Sequence, residues 1–583
     1  MFMSQQRIKL KKLYSEPKIF EPVLFESGLN IIMGEKSTDS NKTNGVGKSI
    51  CIEFLNFCLL KKISESRVDL IPGDIIDKSS KVMLDILINQ DNITIVRSLS
   101  HLEEISIFKN GEEIVFDSID NATKYLGNVY FQSYSANESR VSFRNMLSPI
   151  IRDERSEFKD IIQCFDTKKR IPADYTPHLF FLNLNIELYL EIKNLLKELE
   201  NKKSYLNETK KILIVKPSEA KAQLNELQSE VTKINASIES LKNKESFDTI
   251  QNDLVKIEFE ASKLRKEQQA IKYQIRQIES LPQPENISKN DIATLFNQFK
   301  LGLGDMIEKS LVELETFKDK VNSFRNSLVN KRLEDLKQKL SSLNEKVKVF
   351  DDRYTEKISL LDNGGVLKDL KSSINIFNSK NNEFSNLRSL IDRYDNAEKD
   401  KKTLSKVKSE KIAELDEDIC NKKDIIDSFE NTILDIHEII MGNRKSHFEI
   451  KTIDKASSKE FIYFDLRIDD DGAHSIERMK VFIYDISLIV NSYTGVHHPK
   501  FLVHDNIFNS DNDSLYKSLN FLYEIANNHT EEFQYIVTLN TDQVELLESK
   551  NLLKFNINDY KRASYTKSSR FLKKQYSEVQ KRK

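Results

Sequence analysis

The sequence predicts an α/β protein whose head is assembled from two distant chain segments and split by a long antiparallel coiled-coil insertion. Three observations carry this. A strand, a loop and a helix containing "NGVGKSI" stand near the N-terminus, heptad-spaced apolar residues run through the middle, and a buried strand ending in acid, "FLVHDN", stands near the C-terminus. The chain has 583 residues, 31% charged and 39% hydrophobic. That is too long for one ordinary core and too polar for a stack of compact domains, so part of it is expected to be elongated and solvated. Lys+Arg and Asp+Glu nearly cancel at 89 against 91, which excludes a global basic field and leaves only local patches for nucleic acid.

Cys51, Cys58, Cys164 and Cys420 are scattered without a CxxC pair, so neither a disulfide framework nor a thiolate zinc site is expected. The first residues, "MFMSQQRIKLKKLYS", lack the apolar core of a signal peptide, and no window reaches the roughly 18 apolar residues of a membrane span. A soluble, cytoplasmic protein without membrane contact is the expectation.

Residues 1–184 form the first half of the head. "RIKLKKLYS" and "KIFEPVLF" read as strands, "GLNIIMG" as a buried strand entering a loop, and "SICIEFLNFCLL" as a helix; "KVMLDILIN", "ITIVRSL" and "ISIFKNGEEIVF" read as a run of strands with a hairpin turn at "KNGE". From 185 to 444 the spacing changes. Leu224, Leu227, Val231, Ile234, Ile238 and Leu241 alternate by three and four, which keeps one narrow apolar seam along a helix and makes two helices supercoil. The pattern recurs at Leu333, Leu336, Leu340, Leu343, Val347 and Phe350, and from Ile412 to Ile440 with Lys422 alone breaking the seam. A buried helix of a globular bundle would show a wider apolar face. Helix breaks fall at "VKPSEA", "LPQPENISKND" and "LDNGGVL", and the arm's tip is expected near 281–304 or 361–367.

Residues 445–555 return to the α/β pattern as the second half of the head. "FEIKTI", "EFIYFDLRID", "KFLVHDN" and "FQYIVTLN" read as strands, and "SIERMKVFIYDISLIVNSYT" and "SLYKSLNFLYEIANNH" as helices. Residues 556–583, dense in Lys and Arg, read as a basic C-terminal tail.

In a phosphate-binding loop, glycines let successive backbone N–H groups converge on phosphate, a lysine bridges phosphates, and a hydroxyl residue holds Mg²⁺ at the positive end of the following helix. Asn44, Gly45, Val46, Gly47, Lys48, Ser49 and Ile50 supply this set, so ATP and Mg²⁺ are the expected ligands. Lys42 stands where the loop's opening glycine belongs, which reads as a lengthened approach from the strand ending at Gly34. Asp505 is expected at a strand end beside the metal, with Ser49. Gly472 and Ser475 open a helix, Ser475 as its cap, and can present a hydroxyl and N–H groups to phosphate from outside. Arg144, Arg152, Asp153 and Glu154, with Gln132, are candidates for sensing the γ-phosphate, against the alternative of a surface salt-bridged loop. His474 and His504 lack the neighbours of a metal site and are expected to pack or hydrogen-bond.

A phosphate loop and an acid-ended strand separated by coiled coil resemble the SMC and RecN-type ABC ATPases, the carrying residues being "FESGLNIIMG", "NGVGKS", "FLVHDN" and "QYIVTLN". More narrowly, the His-Asp-Asn ending, the lengthened loop and "FIYDI" look like ATPases of multi-component bacterial anti-phage defence systems of the Lamassu type. The resemblance implies an ABC-type ATPase head, a homodimer engaged through two heads with ATP between them, double-stranded DNA bound without sequence preference, and separate effector and accessory subunits. It assigns Lys48, Asp505 and Asn506 to catalysis. Asn506 replaces the glutamate that polarises the attacking water in relatives, which implies slow hydrolysis unless another carboxylate serves; Asp511 and Asp513 are nearby. Leu539 or Asn540 stands where many relatives place a histidine. Lys561, Arg562, Lys567, Arg570, Lys573 and Lys574 suit sequence-independent contact with a DNA backbone. A nucleotide-locked dimeric scaffold with little hydrolysis and no DNA role is the alternative; the ATPase of a membrane pump fits the long arm poorly.

Overall fold

In the computed structural model the described residues are 7–578 without 38–42, 78, 102, 133–140, 169–170, 214, 243–250, 280–305, 360–365, 456–457, 470–471, 473, 509–511, 529–532 and 577. Side chains alternate between buried and more exposed positions along much of Ile8–Glu16, which makes β1 a half-buried strand. The expected strand "KIFEPVLF" shrinks to Val23–Leu24 (β2), paired with β1, because Pro22 has no N–H to give a ladder. Gly28–Gly34 (β3) is buried at every position, and α1 (Lys48–Cys58) follows the loop. Next come β4 (Lys81–Ile88), β5 (Asp91–Ser98), β6 (Ile105–Lys109) and β7 (Glu112–Phe116). They join β1 and β2 in a six-stranded antiparallel sheet of order β2-β1-β4-β5-β6-β7. Asn110 and Gly111, both at positive φ, make the expected two-residue turn between β6 and β7. Helices α2 (Ile119–Tyr130) and α3 (Phe143–Met146), strand β8 (Ile151–Arg152) and helix α4 (Thr176–Phe181) complete this part.

The middle of the chain is helical: α5 (Ile186–Leu213), α6 (Pro217–Lys242), α7 (Gln251–Glu279), α8 (Met306–Ser359), α9 (Val366–Asn421) and α10 (Lys423–Met441). Contacts divide the chain into a head, residues 1–197 with 405–583, and a helical unit, 198–404. Within the helical unit α7 and α8 run antiparallel, as Arg265–Asp351 at 2.7 Å and Lys337–Glu279 at 3.3 Å establish. Leu336, Leu340 and Leu343 of the expected seam pack on Ile271 and Ile275. Helix α6 pairs with α9 in the same sense through Lys221–Asp395 and Lys380–Glu230. The candidate tip at 281–304 falls outside the described residues, as do residues 361–365 of the other, whose last two, Val366 and Leu367, open α9.

The seam from Ile412 to Ile440 behaves otherwise. The chain breaks its helix at Lys422, between α9 and α10, and Ile412, Leu415, Phe429, Ile433, Ile436 and Ile440 are buried in the core of the head. Phe429 packs edge-on against Phe448 and Tyr484. Spacing by three and four fits a partner helix and a sheet alike, so the pattern alone did not separate arm from head.

The remaining elements are β9 (His447–Thr452) and β10 (Ile462–Arg467), an antiparallel pair; α11 (His474–Val490); α12 (Thr494–His497); β11 (Phe501–His504); α13 (Asn512–Asn528); β12 (Gln534–Asn540); α14 (Thr541–Ser549); α15 (Ile557–Tyr560); and β13 (Lys561–Tyr565). Five strands from both ends of the chain form one wholly parallel sheet of order β13-β3-β12-β11-β8. Its central strands are buried along their length, as a sheet covered on both faces requires. Gln534 ties this sheet to the antiparallel one: its amide exchanges hydrogen bonds with the N–H and C=O of Leu10, at 2.7 and 2.8 Å, where the β1 ladder shifts register.

The expected basic tail is folded. Residues 561–565 form an edge strand on β3, and Phe571 and Leu572 are buried in the head core. Aromatic and apolar residues interspersed among the cations account for this: Phe571 stacks on Phe20 at 4.4 Å and meets Phe54 and Tyr565 edge-on.

Candidate functional site

Parallel strands point their C-terminal ends the same way, and ligands of parallel α/β sheets bind beyond those ends. Here the ends of β3, β8, β11, β12 and β13 lead to Gly34, Glu154, Asp505, Asn540 and the segment after Tyr565. Register aligns them: Gly34 pairs with Asn540 and with Tyr565, and His504 with Arg152. A cavity of about 660 Å³ opens there, lined by all of residues 43–50 and by Arg67, Glu154, Asn506, Asn540, Arg570 and Phe571 among others.

The loop is shaped by two glycines. A Cβ on Gly34 would lie 2.7 Å from Lys48 Nζ and from the Thr43 carbonyl oxygen. Gly34 therefore supplies the close approach that Lys42 cannot; Lys42 itself lies outside the described residues. Gly47 precedes α1 at φ 111°, and its Cβ would lie 2.6 Å from Phe571 Cβ. Helix α1 has no acidic residue in its first turn, so its partial positive charge is not neutralised locally.

Lys48 is buried. Its Nζ donates to Asn540 Oδ1 at 2.5 Å and to the Thr43 carbonyl at 3.3 Å. Burial pushes its ammonium below the ordinary lysine range, opposed by the Asp505 and Glu154 carboxylates. Asn540 also caps α14 in a capping box with Gln543. The residue that faces the site at the end of β12 is thus Asn540, while Leu539 is buried in the core.

Asp505 follows β11 and is 1% exposed. Its Oδ1 accepts from Thr538 Oγ1 at 2.8 Å, and its Oδ2 is buried with no hydrogen-bond partner. Burial raises its carboxyl to about 6, against the hydroxyls of Ser49 and Thr538, which hold it down. Ser49 and Asp505 therefore adjoin, as the sequence reading required. An orphaned carboxylate oxygen beside a serine hydroxyl at a helix N-terminus fits Mg²⁺, which takes one or two protein carboxylates and completes its shell with phosphate and water. Among the described residues no cluster of three or more His, Cys, Asp or Glu could hold a metal by itself.

Behind Asp505 lies a buried network. Arg152 Nε meets Asp485 Oδ2 at 2.6 Å, and His504 bridges Asp485 at 3.0 Å and Tyr535 at 2.9 Å. Burial alone would lower the Arg152 guanidinium, but Asp485 overcomes it and holds it raised; burial lowers His504 despite Asp485. The expectation that His504 hydrogen-bonds is met. Arg152, at 0% exposure, is engaged in this pair and does not line the cavity; Arg144 donates to the Leu59 carbonyl, and Gln132 is exposed and likewise absent from the lining.

Other candidates sort as follows. Asp513 pairs with Lys517 and does not line the cavity, and Asp511 lies outside the described residues. Gly472 is exposed and absent from the lining. Ser475 sits inside the first turn of α11, which starts at His474, so it is not the cap; of the His474 and Ser475 side chains nothing is described. Of the six candidate DNA contacts, Lys561 pairs with Glu35, Arg562 with Glu26 and Lys573 with Glu21. Arg570 donates to the Gly45 carbonyl at 2.6 Å and Lys574 to that of Asp74, and both line the cavity. Lys567 Nζ lies beside Gly45.

Several residues of the site carry no local signal. Phe571 donates its N–H to the Val46 carbonyl at 3.2 Å, and Glu578 binds Arg67 at 2.7 Å and Arg155 at 3.2 Å. Only the folded chain brings them to the loop.

Residues 432–575 match a family described as an uncharacterised protein conserved in bacteria, DUF2326. That span holds Asp505, Asn506, Asn540 and Phe571 but not residues 43–50. The chain is 23% identical over 569 residues to the uncharacterized protein YydD of Bacillus subtilis (strain 168), covering 90% of this chain and 92% of that one. A solved Smc head domain with coiled coil and joint from Pyrococcus yayanosii overlaps 92% of this chain and 93% of its own at 12% identity and a TM-score of 0.34. Among the described residues no helix is long and apolar enough to cross a membrane.

Proposed function

We propose that the cavity binds Mg-ATP and that the protein is an SMC-like ATPase whose heads engage in pairs around nucleotide. The observation that carries this is the convergence of Ser49 with the buried Asp505 carboxylate, one oxygen of which has no hydrogen-bond partner, next to a buried lysine held by an asparagine 492 positions away. Ser49 and Asp505 would hold Mg²⁺, which would supply neutralisation of the phosphate charge. The loop N–H groups and α1 would bind the phosphates, Lys48 would leave Asn540 for them, and Thr538 would fix Asp505. The finer reading, in which engaged heads clamp double-stranded DNA and control a partner effector in bacterial defence, rests on the resemblance of the motifs.

The test is ATP binding with and without Mg²⁺ by the parent and by Lys48→Ala, alongside oligomeric state and DNA retention with ATP and with ADP. ATP binding lost in Lys48→Ala, with ATP-dependent dimers that retain DNA, supports the full reading. ATP-dependent dimers that neither retain DNA nor release phosphate support the alternative, a nucleotide-locked scaffold, which Asn506 favours. Unchanged oligomers with no ATP binding sink both.

A further inference from the structure

The cavity is lined by three carboxylates besides the buried Asp505 beneath it, and they are not equivalent. Asp542 accepts from Thr43 Oγ1 at 3.0 Å and pairs with Lys36 at 2.9 Å. Glu578 is held between Arg67 and Arg155. Glu154 makes no ion pair among the described residues; its Oε1 accepts from Asn506 Nδ2 at 3.1 Å.

Backbone geometry makes that last contact. Strands β8 and β11 run parallel with His504 beside Arg152, and the Asp505 N–H donates to the Arg152 carbonyl at 3.0 Å. Continuing two residues beyond the register sets Asn506 beside Glu154. Asp153 caps the short turn that starts at Glu154, its Oδ1 accepting from the Arg155 N–H at 3.0 Å. Asn506 is fixed at φ 63°, a left-handed conformation that asparagine tolerates. Its N–H donates to Thr538 Oγ1 at 2.8 Å, and its carbonyl accepts from Arg478 at 2.6 Å. Thr538 is also the residue that holds Asp505.

An amide can orient a water but cannot take its proton, whereas a carboxylate can do both. We propose that Glu154 is the general base of this site, with Asn506 as the residue that positions it: Asn506 donates to one Glu154 oxygen, and the other oxygen receives the proton of the attacking water. This rests on the Mg-ATP reading above. In the step, the water oxygen bonds to the γ-phosphorus as the bond from that phosphorus to the β–γ bridging oxygen breaks, and the electron pair leaves with ADP. One water proton stays on the phosphate; the other passes to Glu154 and then to solvent.

The experiment compares the parent, Glu154→Gln, Glu154→Ala and Asn506→Ala for Mg-ATP affinity, for the nucleotide retained after gel filtration, and for phosphate release. Glu154→Gln is expected to bind Mg-ATP within about threefold of the parent, to retain ATP where the parent retains ADP, and to release phosphate roughly a hundredfold more slowly, the scale of a general base. Asn506→Ala is expected to slow release about tenfold without loss of affinity. Formate is expected to restore part of the release in Glu154→Ala, which a structural role would not produce. Parent-like release by Glu154→Gln at intact affinity overturns the proposal and leaves nucleotide binding standing. A parent that binds ATP and releases no phosphate does the same. A parent that binds no Mg-ATP removes the reading of the site as well.

Discussion

Two walls of the cavity are built on different principles. The loop from Thr43 to Ile50 carries its conformation in its own residues, because Gly45 and Gly47 admit positive φ and α1 starts directly behind them. The wall from Arg570 to Glu578 owes its place to contacts with distant residues: Phe571 on Phe20 and Phe54, Arg570 on the Gly45 carbonyl, Glu578 on Arg67 and Arg155. The first wall is a local motif. The second is a packing solution that holds the first in place.

The largest test of that difference is Phe571→Ala. Phe571 is 1% exposed, and removing a buried phenyl ring costs about 4 kcal/mol. The head is expected to unfold earlier in a thermal melt, and the amides of residues 44–50 to exchange faster with solvent than in the parent. A loss under about 1 kcal/mol, or unchanged exchange in the loop, would mean that the second wall does not support the first.

Asp505 lies beneath both walls and gives the next effect. With a carboxyl raised from 3.8 to about 6 in the folded head, the folded state binds more protons than the unfolded one between those values. Stability therefore falls as pH rises from about 4 to 6, and the full cost, about 3 kcal/mol, stands at neutral pH without metal. Asp505→Asn is expected to raise the melting temperature at pH 7 in the absence of Mg²⁺, to flatten the dependence between pH 4 and 6, and to abolish stabilisation by Mg-ATP. A variant that melts lower than the parent under those conditions refutes the assignment of a buried carboxylate whose ionised form burial disfavours.

Gly47→Ala probes the contact between the walls. A positive φ in a residue with a side chain costs on the order of 1–3 kcal/mol, and the new methyl also meets Phe571. In a Phe571→Gly background, which removes the Cβ that the new methyl meets at 2.6 Å, most of the steric share is expected to vanish and the dihedral share to remain, so the two substitutions should be non-additive by about 1 kcal/mol. Strict additivity would place the whole cost in the loop.

What could be read in advance follows the same division. Most of the strands, the glycine-rich loop before α1, and Asp505 at a strand end were legible because each is a short run whose conformation depends on immediate neighbours. The site's convergence was legible as well, since a loop and an acid-ended strand separated by coiled coil have one compact solution. Three things were not. Lys42 reads as a lengthened approach from the strand ending at Gly34, but spacing alone does not say that Gly34 itself makes the close approach to Lys48. The seam from Ile412 to Ile440 was assigned to the arm because its spacing is the same whether a helix packs on a helix or on a sheet. The segment after Lys561 was read by its charge, although Tyr565, Phe571 and Leu572 were enough to fold it.

The smallest effect separates charge from packing within the second wall. Arg570 is half-buried and donates to the Gly45 carbonyl at 2.6 Å. A charged donor to a carbonyl contributes about 1 kcal/mol when solvent competes for it. Arg570→Ala is therefore expected to leave the melting temperature within about 2 °C, and to alter Mg-ATP affinity by no more than about fivefold, against the large loss of stability in Phe571→Ala. If the order were reversed, with Arg570→Ala abolishing nucleotide binding while Phe571→Ala left it intact, the segment would act as a ligand-binding arm through its cations. The apolar residues would then be incidental, and the contrast between the two walls would collapse.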